Sequence, residues 1–386
     1  MGGQSMKIGI SCYATLGGSG AVATELGKAL AARGHEVHFI VSGTPFRLGY
    51  LGYFMDNIYI HEVETTSYPV LQSSPYDLAL SAKMADVIRH FDLDIIHAHY
   101  AIPYAVCAFL AREMLGSHKV KIVTTLHGTD ITVLAQDPLL RDVIRLGIEK
   151  SHAVTAVSQS LIDQTNELFE PRCPIMKIHN FVDVHQYQRL ESSKLRERIA
   201  PNGEKIVLHM SNFRAVKRIP DVIDTFRRIH DALPAKLLLV GEGPELDSAR
   251  KLTCKVGIAN DVLFLGQQDE VAQLLSLADL LLLPSQKESF GLVALEAMAC
   301  GVPVIGSTAG GIPEVVEHTK SGYLAPVGDT ESMGNYAISL LSNPEKWENF
   351  SRAARHRADF FTMEKKVAQY EALYDQLILQ PANYQS

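Results

Sequence analysis

The chain has 386 residues, 36 of them Lys or Arg against 43 Asp or Glu, for a formal net charge of −7. That length predicts two or three domains, each able to bury a core without disulfides or metals. The acidic balance lacks the basic excess on which nucleic-acid and membrane-surface binding draw, and 47% hydrophobic residues exclude a disordered chain.

In the first half, short apolar runs read as strands at Lys7–Cys12, Glu36–Val41, Asp94–His97, Lys121–Thr125 and Ala153–Val157. Amphipathic stretches between them read as helices at Gly20–Arg33, Ala79–His90, Tyr104–Leu115, Leu139–Lys150 and Gln159–Leu168. This alternation is the pattern of a parallel sheet covered by helices. The polar stretch Asp183–Glu204, with Glu191-Ser-Ser and Pro201-Asn-Gly, reads as a hinge. The rhythm then restarts with strands at Ile206–Met210, Lys236–Val240, Val262–Leu265, Leu280–Leu283 and Val302–Gly306. From Asn343 to Leu379 only helices are expected. The division is therefore residues 6–182, 183–360, and a terminal helix within 361–386 that packs back on the first domain. Two doubly wound domains facing each other place ligands in a cleft at the carboxyl ends of their strands.

Strand one runs into Tyr13-Ala-Thr-Leu-Gly-Gly-Ser-Gly20 and a helix. Gly18-Ser-Gly20-Ala-Val-Ala23 formally fits the dinucleotide fingerprint. Yet five residues separate the strand from Gly18, and no ribose-binding acid ends the second strand. What remains is close backbone approach and free N–H groups that attract an anion, with Ser19 as helix cap the plainer reading. The later turn Val240-Gly-Glu-Gly-Pro244 follows an apolar strand but lacks a P-loop lysine, so a simple strand-to-helix turn serves equally well.

The most informative segment is Pro284-Ser-Gln-Lys-Glu288-Ser-Phe-Gly-Leu-Val-Ala-Leu-Glu296. It sets Glu288 in a loop and Glu296 inside an apolar helix, where a carboxylate needs hydrogen-bonding partners such as sugar hydroxyls. The N–H groups of Gly291, Leu292 and Val293 offer an anion site; a dipole-favoured acid and an internal ion pair are the plainer readings. The spacing of the two acids around Phe-Gly resembles the Glu-x7-Glu signature of retaining glycosyltransferases of family 4. His209-Met-Ser-Asn-Phe-Arg214-Ala-Val-Lys217, Gly306-Ser-Thr-Ala-Gly-Gly-Ile-Pro-Glu314 and Leu126-His127-Gly-Thr-Asp130 match further motifs of that family, in the expected order over nearly the whole chain.

The resemblance implies an α/β GT-B fold, two Rossmann-like domains with C-terminal helices, and a cytoplasmic enzyme. It implies that Arg214 and Lys217 neutralise a diphosphate leaving group, that Glu288 holds the transferred sugar and Glu296 the ribose. Gly18, Ser289, Phe290, Gly291 and Leu292 complete the donor set, and His127 steadies the transferred sugar and acceptor. The leaving phosphate then deprotonates the incoming hydroxyl, so no pair of catalytic carboxylates is required. Within the family, Ser11-Cys-Tyr, Thr44-Pro-Phe-Arg-Leu48 and His97-Ala-His-Tyr-Ala-Ile-Pro103 resemble the branch that joins N-acetylglucosamine to L-malate in bacillithiol biosynthesis. UDP-N-acetylglucosamine and malate are the partners that follow. Ser19 and Gly20, Arg47, Tyr100, Thr129, Arg141 and Arg145 are candidates to hold the acceptor, arginine because it grips a carboxylate through two parallel hydrogen bonds.

Neither a cofactor nor a metal is expected. His97 and His99 share one strand face, a spacing metal sites use, but no carboxylate ligand lies suitably close in sequence. The five cysteines form no Cys-x-x-Cys, which points to a reducing compartment, and no apolar run is long enough to cross a membrane. Self-association stays open at this stage. The competing functions are another family 4 acceptor, a nucleotide-sugar epimerase and a nicotinamide-dependent oxidoreductase; an NADH titration and product analysis with and without acceptor separate them.

Overall fold

Two parallel sheets organise the chain, one in each of two units: residues 1–180 with 363–386, and Phe181–Thr362. The structure is a computed structural model that describes residues 5–14, 18–44, 48, 56–65, 75–116, 119–190 and 193–379.

The first unit contains β1 (Lys7–Ser11), β2 (Glu36–Val41), β3 (Ile58–Glu62), β4 (Ile95–His99), β5 (Lys121–Leu126), β6 (Ala153–Ala156) and β7 (Ile175–Lys177). Their order is β3-β2-β1-β4-β5-β6-β7, and every pairing is parallel. The second unit contains β8 (Lys205–Met210), β9 (Ala235–Val240), β10 (Val262–Gly266), β11 (Leu280–Leu283), β12 (Val304–Ser307) and β13 (Gly322–Ala325), in the order β10-β9-β8-β11-β12-β13. In both sheets the order reverses beside the first strand, between β1 and β4 and between β8 and β11. Those two reversals are the topological switch points at which open α/β sheets bind ligands.

Helices on both faces explain why the central strands are apolar throughout. Leu280–Leu283 is buried at every position, and so is Ile95–His99, histidines included. Local chemistry sets the helix ends. Asp137 accepts from the Leu139 N–H ahead of the helix Pro138–Glu149, and Ser158 from the Leu161 N–H ahead of Gln159–Phe169. In the second unit Phe213, Phe226, Leu237, Leu239, Leu280 and Ile305 form the centre of the core between sheet and helices.

Three strands lie beyond the sequence reading: β3, β7 and β13. The expected strand Asp94–His97 extends to His99, and the expected hinge Asp183–Glu204 is built into the second unit. Its Arg196 pairs with Asp279 at 2.7 Å, and the Leu190 N–H donates to Ser276 Oγ. Chain continuity passes between the units at Asn180–Phe181 instead. After Thr362 the helix Met363–Leu379 belongs to the first unit, where Glu371 pairs with Arg33 and with His35, and Tyr374 lies 2.7 Å from His97 Nδ1. None of the helices is long and apolar enough to cross a membrane, among the described residues.

Candidate active site

In the second unit the loops that leave β8 and β11 meet across the switch point. Lys217 Nζ pairs with Glu288 Oε2 at 2.6 Å, both side chains being largely buried (19% and 17% exposed). The Gln286 N–H donates to the Val216 carbonyl and joins the same two loops through their backbones. Arg214 and Lys217, three residues apart, would share a face if a helix began there, but they do not. The helix begins only at Ile219, Arg214 is extended, and Ala215–Lys217 is a single tight turn closed by the bond from the Lys217 N–H to the Arg214 carbonyl. Proline at position 220 and the left-handed Arg218, which pairs with Asp221, fix where that helix starts.

Two glycine-rich turns support these loops. A Cβ on Gly310 would stand 1.9 Å from the Glu288 carbonyl oxygen, and one on Gly311 would stand 2.5 Å from that of Ser289. The Gly311 N–H donates to the Glu288 carbonyl at 2.9 Å. Gly241 and Gly243 approach Ser211 and Asn212 as closely, with Cβ positions 1.8 and 2.0 Å from their carbonyl oxygens. The second glycine turn of the sequence therefore holds up the loop that presents Arg214 and Lys217. His209 anchors the base of that loop by donating Nδ1–H to the Leu282 carbonyl, with Ser211 Oγ at 2.9 Å from Nε2. Burial pushes its pKa down to about 4, so the ring is neutral.

Gly291, left-handed at φ 98°, opens the helix Leu292–Ala299, and Ser289 and Leu292 are half-buried beside it. Glu296 lies inside that helix with 6% of its surface exposed. Phe290 is different: its ring is 2% exposed and meets Phe361 edge-on, so its side chain belongs to the core and only its backbone is offered to a ligand.

In the first unit the same topology gathers Ser19, Tyr100 and Thr129. Gly18 ends the loop after β1 at φ 64°, and the helix starts at Ser19. Ser19 is therefore inside the helix, not its cap. Its hydroxyl lies 2.6 Å from the Tyr100 hydroxyl across the β1/β4 switch point, next to the buried Gly20, and Thr129 also hydrogen-bonds Tyr100. Burial pushes the Tyr100 phenol up to about 12, against the pull of those two hydroxyls, so it remains a neutral donor. Arg141 Nε donates to the Ala135 carbonyl, and Arg145 sits on the exposed side of the same helix; among the described residues neither contacts the Ser19–Tyr100–Thr129 group. Arg47 lies outside the described residues.

His127 follows β5 directly and is 8% exposed. Its Nε2 is 2.8 Å from His99 Nδ1, and the two rings lie edge to edge within 20° of one plane, centroids 5.1 Å apart. Behind them His97 bridges Thr125 and Tyr374, at 2.7 Å on each ring nitrogen. Burial pushes His97 and His127 down to about 3 and His99 well below its ordinary value, which makes this a row of neutral rings. Asp130, fully buried, accepts from the Ala101 and Gly128 N–H groups and so ties the Tyr100 turn to the His127 turn. Burial raises its pKa to about 6 despite those bonds. Sequence analysis weighed the two strand histidines only as a metal pair and gave Asp130 no task of its own. The helical pattern after His127 concealed a carboxylate that faces back toward another loop.

The comparisons with known proteins agree with this architecture. Residues 191–357 match the family described as Glycosyl transferases group 1, and residues 16–186 match Glycosyltransferase Family 4. The chain is 53% identical over 373 residues to the N-acetyl-alpha-D-glucosaminyl L-malate synthase of Bacillus anthracis, covering 96% of this chain and 97% of that one. It is 26% identical to the D-inositol 3-phosphate glycosyltransferase of Jonesia denitrificans, over 93% of this chain and 91% of the relative. In fold it is similar to the crystal structure of Anabaena Alr3699/HepE in complex with UDP and glucose, with a TM-score of 0.82 at 22% identity, covering 96% of this chain and all of the other. With two doubly wound units, the Lys217–Glu288 pair on the second switch point and these relatives over its length, the chain belongs to the GT-B glycosyltransferases of family 4.

Proposed function

We infer that this chain is the retaining transferase that moves N-acetylglucosamine from UDP-N-acetylglucosamine to the hydroxyl of L-malate, the opening step of bacillithiol biosynthesis. The observation that carries the donor half is the joined pair Lys217–Glu288, a cation and a carboxylate on the switch point of the second unit. A diphosphate draws Lys217 and Arg214 to its growing charge, which frees Glu288 to accept hydroxyls of the transferred sugar. Glu296, inside the next helix, is the carboxylate for the ribose, and the N–H groups from Gly291 to Val293 add to phosphate binding. The leaving phosphate then takes the proton of the attacking hydroxyl on the same face.

The acceptor rests on the 53% identical relative, whose name carries L-malate, and on donors in the first unit. Ser19, Tyr100 and Thr129 supply hydroxyl donors beside the free N–H groups at the start of the helix from Ser19. Arg47, Arg141 and Arg145 are the candidate partners for the second carboxylate.

We also propose that turnover needs no divalent metal. Among the described residues no group of three or more His, Cys, Asp and Glu side chains is arranged to hold one. The chain's Asp92-Leu-Asp94 triplet is already engaged, Asp92 by Lys119 and Asp94 by the Lys7 N–H.

The test is mass spectrometry of products formed from UDP-N-acetylglucosamine and a panel of small hydroxy acids, with EDTA present. The expected product is the N-acetylglucosaminyl malate, with malate outcompeting malamide and glycerol by orders of magnitude. Equal turnover of neutral alcohols overturns the dicarboxylate acceptor, and strict restoration by Mg²⁺ or Mn²⁺ overturns metal independence.

A further inference from the structure

We propose that His99 is a positioning residue that fixes the tautomer of His127, so that His127 presents Nδ1–H as a donor to an oxygen of the bound substrate. The proposal rests on the reading of His127 as a substrate-contacting residue and adds a second residue, with a defined task, behind it.

A neutral imidazole has one N–H and one bare nitrogen. Both rings are neutral, since burial holds His127 at about 3 and His99 well below its ordinary value. His99 is 1% exposed, and its Nε2 is buried with no hydrogen-bond partner. A proton on that nitrogen would bury an unpaired donor, which costs more than leaving a lone pair there. The His99 proton therefore sits on Nδ1, the atom 2.8 Å from His127 Nε2. That N–H donates, His127 Nε2 accepts, and the one proton of His127 is left on Nδ1. His127 Nδ1 has no hydrogen-bond partner among the described residues, and the side chain keeps 8% of its surface exposed. Among the described residues the donor is thus paired with nothing and is free to meet a substrate oxygen.

The ring of His99 stacks on that of His97, with centroids 4.3 Å apart, and meets His127 edge to edge through the Nδ1–Nε2 contact, the two rings lying within 20° of one plane. His97 is held in turn by Thr125 and Tyr374. Nothing in this row requires a charge. Its product is a direction, one N–H aimed outward from the end of β5.

Two substitutions separate this task from packing. His99→Asn keeps a donor at the Nδ1 position and loses only Nε2, which has no partner, but it gives up the stacked ring. His99→Phe keeps the ring and loses the donor. We expect kcat of His99→Asn within about threefold of the parent and that of His99→Phe about tenfold lower, the worth of one hydrogen bond. If His99 only fills space, the order reverses and Phe exceeds Asn, which overturns the proposal.

The second measurement uses the unsubstituted full chain labelled with ¹⁵N-histidine, read by long-range ¹H–¹⁵N correlation, with His127 assigned by its loss in His127→Gln. A pyrrole-type Nδ1 and pyridine-type Nε2 are expected for His127 without any ligand. The reverse pattern overturns the proposal even if neither variant folds. Failure of the functional reading would register elsewhere, as a different product from the unsubstituted enzyme or as unchanged kcat in His127→Ala.

Discussion

At the scale of single residues, Lys217 and Glu288 show how a charge pair can wait for a substrate. Their 2.6 Å contact is mostly shielded from water, so in the free enzyme each is the other's partner. A diphosphate competes for the lysine and a sugar for the carboxylate, and binding exchanges one set of charge-assisted bonds for another. Lys217→Ala should therefore lower kcat about 100-fold, as loss of a transition-state donor does, while thermal unfolding moves little. Steady-state kinetics with a melting curve checks this, and normal turnover would remove Lys217 from the chemistry. The residues of this pair were legible in the sequence because their types and spacing are dictated by the ligand. Phe290 joined the donor set through the family resemblance; its ring lies in the core, so a donor contact there falls to its backbone. Asp130 and His99 were not legible as a working pair of anchors. Their partners, Ala101 and His127, lie 29 and 28 residues away, and only the β4–β5 pairing brings them near.

At the scale of elements, the apolar central strands and the edge strand β10 were readable, and the other three edges, β3, β7 and β13, were not. β7 has three residues, and β13 begins on a glycine whose Cβ would stand 2.1 Å from the Val304 carbonyl oxygen. Neither offers a run of side chains long enough to show a period. β3 alternates, but it carries His61 and Glu62 because an edge strand faces water on one side. The turns were readable as glycine-rich and not as supports, since the atoms they touch belong to other loops. Gly310 tests that support. Its φ of 56° suits glycine, and a methyl group there would collide with backbone that cannot rotate away. Gly310→Ala should displace the Glu288–Phe290 loop, weaken UDP binding about tenfold or more, and cost roughly 1–3 kcal/mol of stability. Titration calorimetry with UDP beside a denaturant melt measures both. Unchanged UDP affinity in a folded variant would show that the loop does not depend on this turn.

At the scale of the whole molecule, the two units should respond differently to acid. His97, His99 and His127, each buried and neutral, all lie in the first unit; the second has His209 in the same condition. A histidine whose folded pKa is depressed stabilises the fold fully above its unfolded value, near 6.5, and loses that contribution as pH falls toward the folded value, here about 3 for His97 and His127. Each such group withdraws about 1.4 kcal/mol per pH unit in that window, so three withdraw about 4. Asp130 works the other way. With its folded pKa raised to about 6, it takes up a proton in the native state first and adds stability as pH falls from there toward 3.8, offsetting about one histidine. These three histidines and Asp130 together leave the first unit losing roughly 3 kcal/mol per pH unit below 6, with His38 and His61, also lowered by burial, adding in the same direction, against about 1.4 for the single histidine of the second. Carboxylates with depressed pKa, such as Asp224, Asp261 and Asp329 of the second unit, enter only near and below pH 4. Between pH 6.5 and 4.5, then, β1–β7 should lose hydrogen-exchange protection before β8–β13, after correction for intrinsic exchange rates. Replacing Asp130 by Asn should remove the offset and move the onset for the first unit to higher pH. Earlier exposure of β8–β13 would show that the buried histidine row is not what limits the acid stability of this chain.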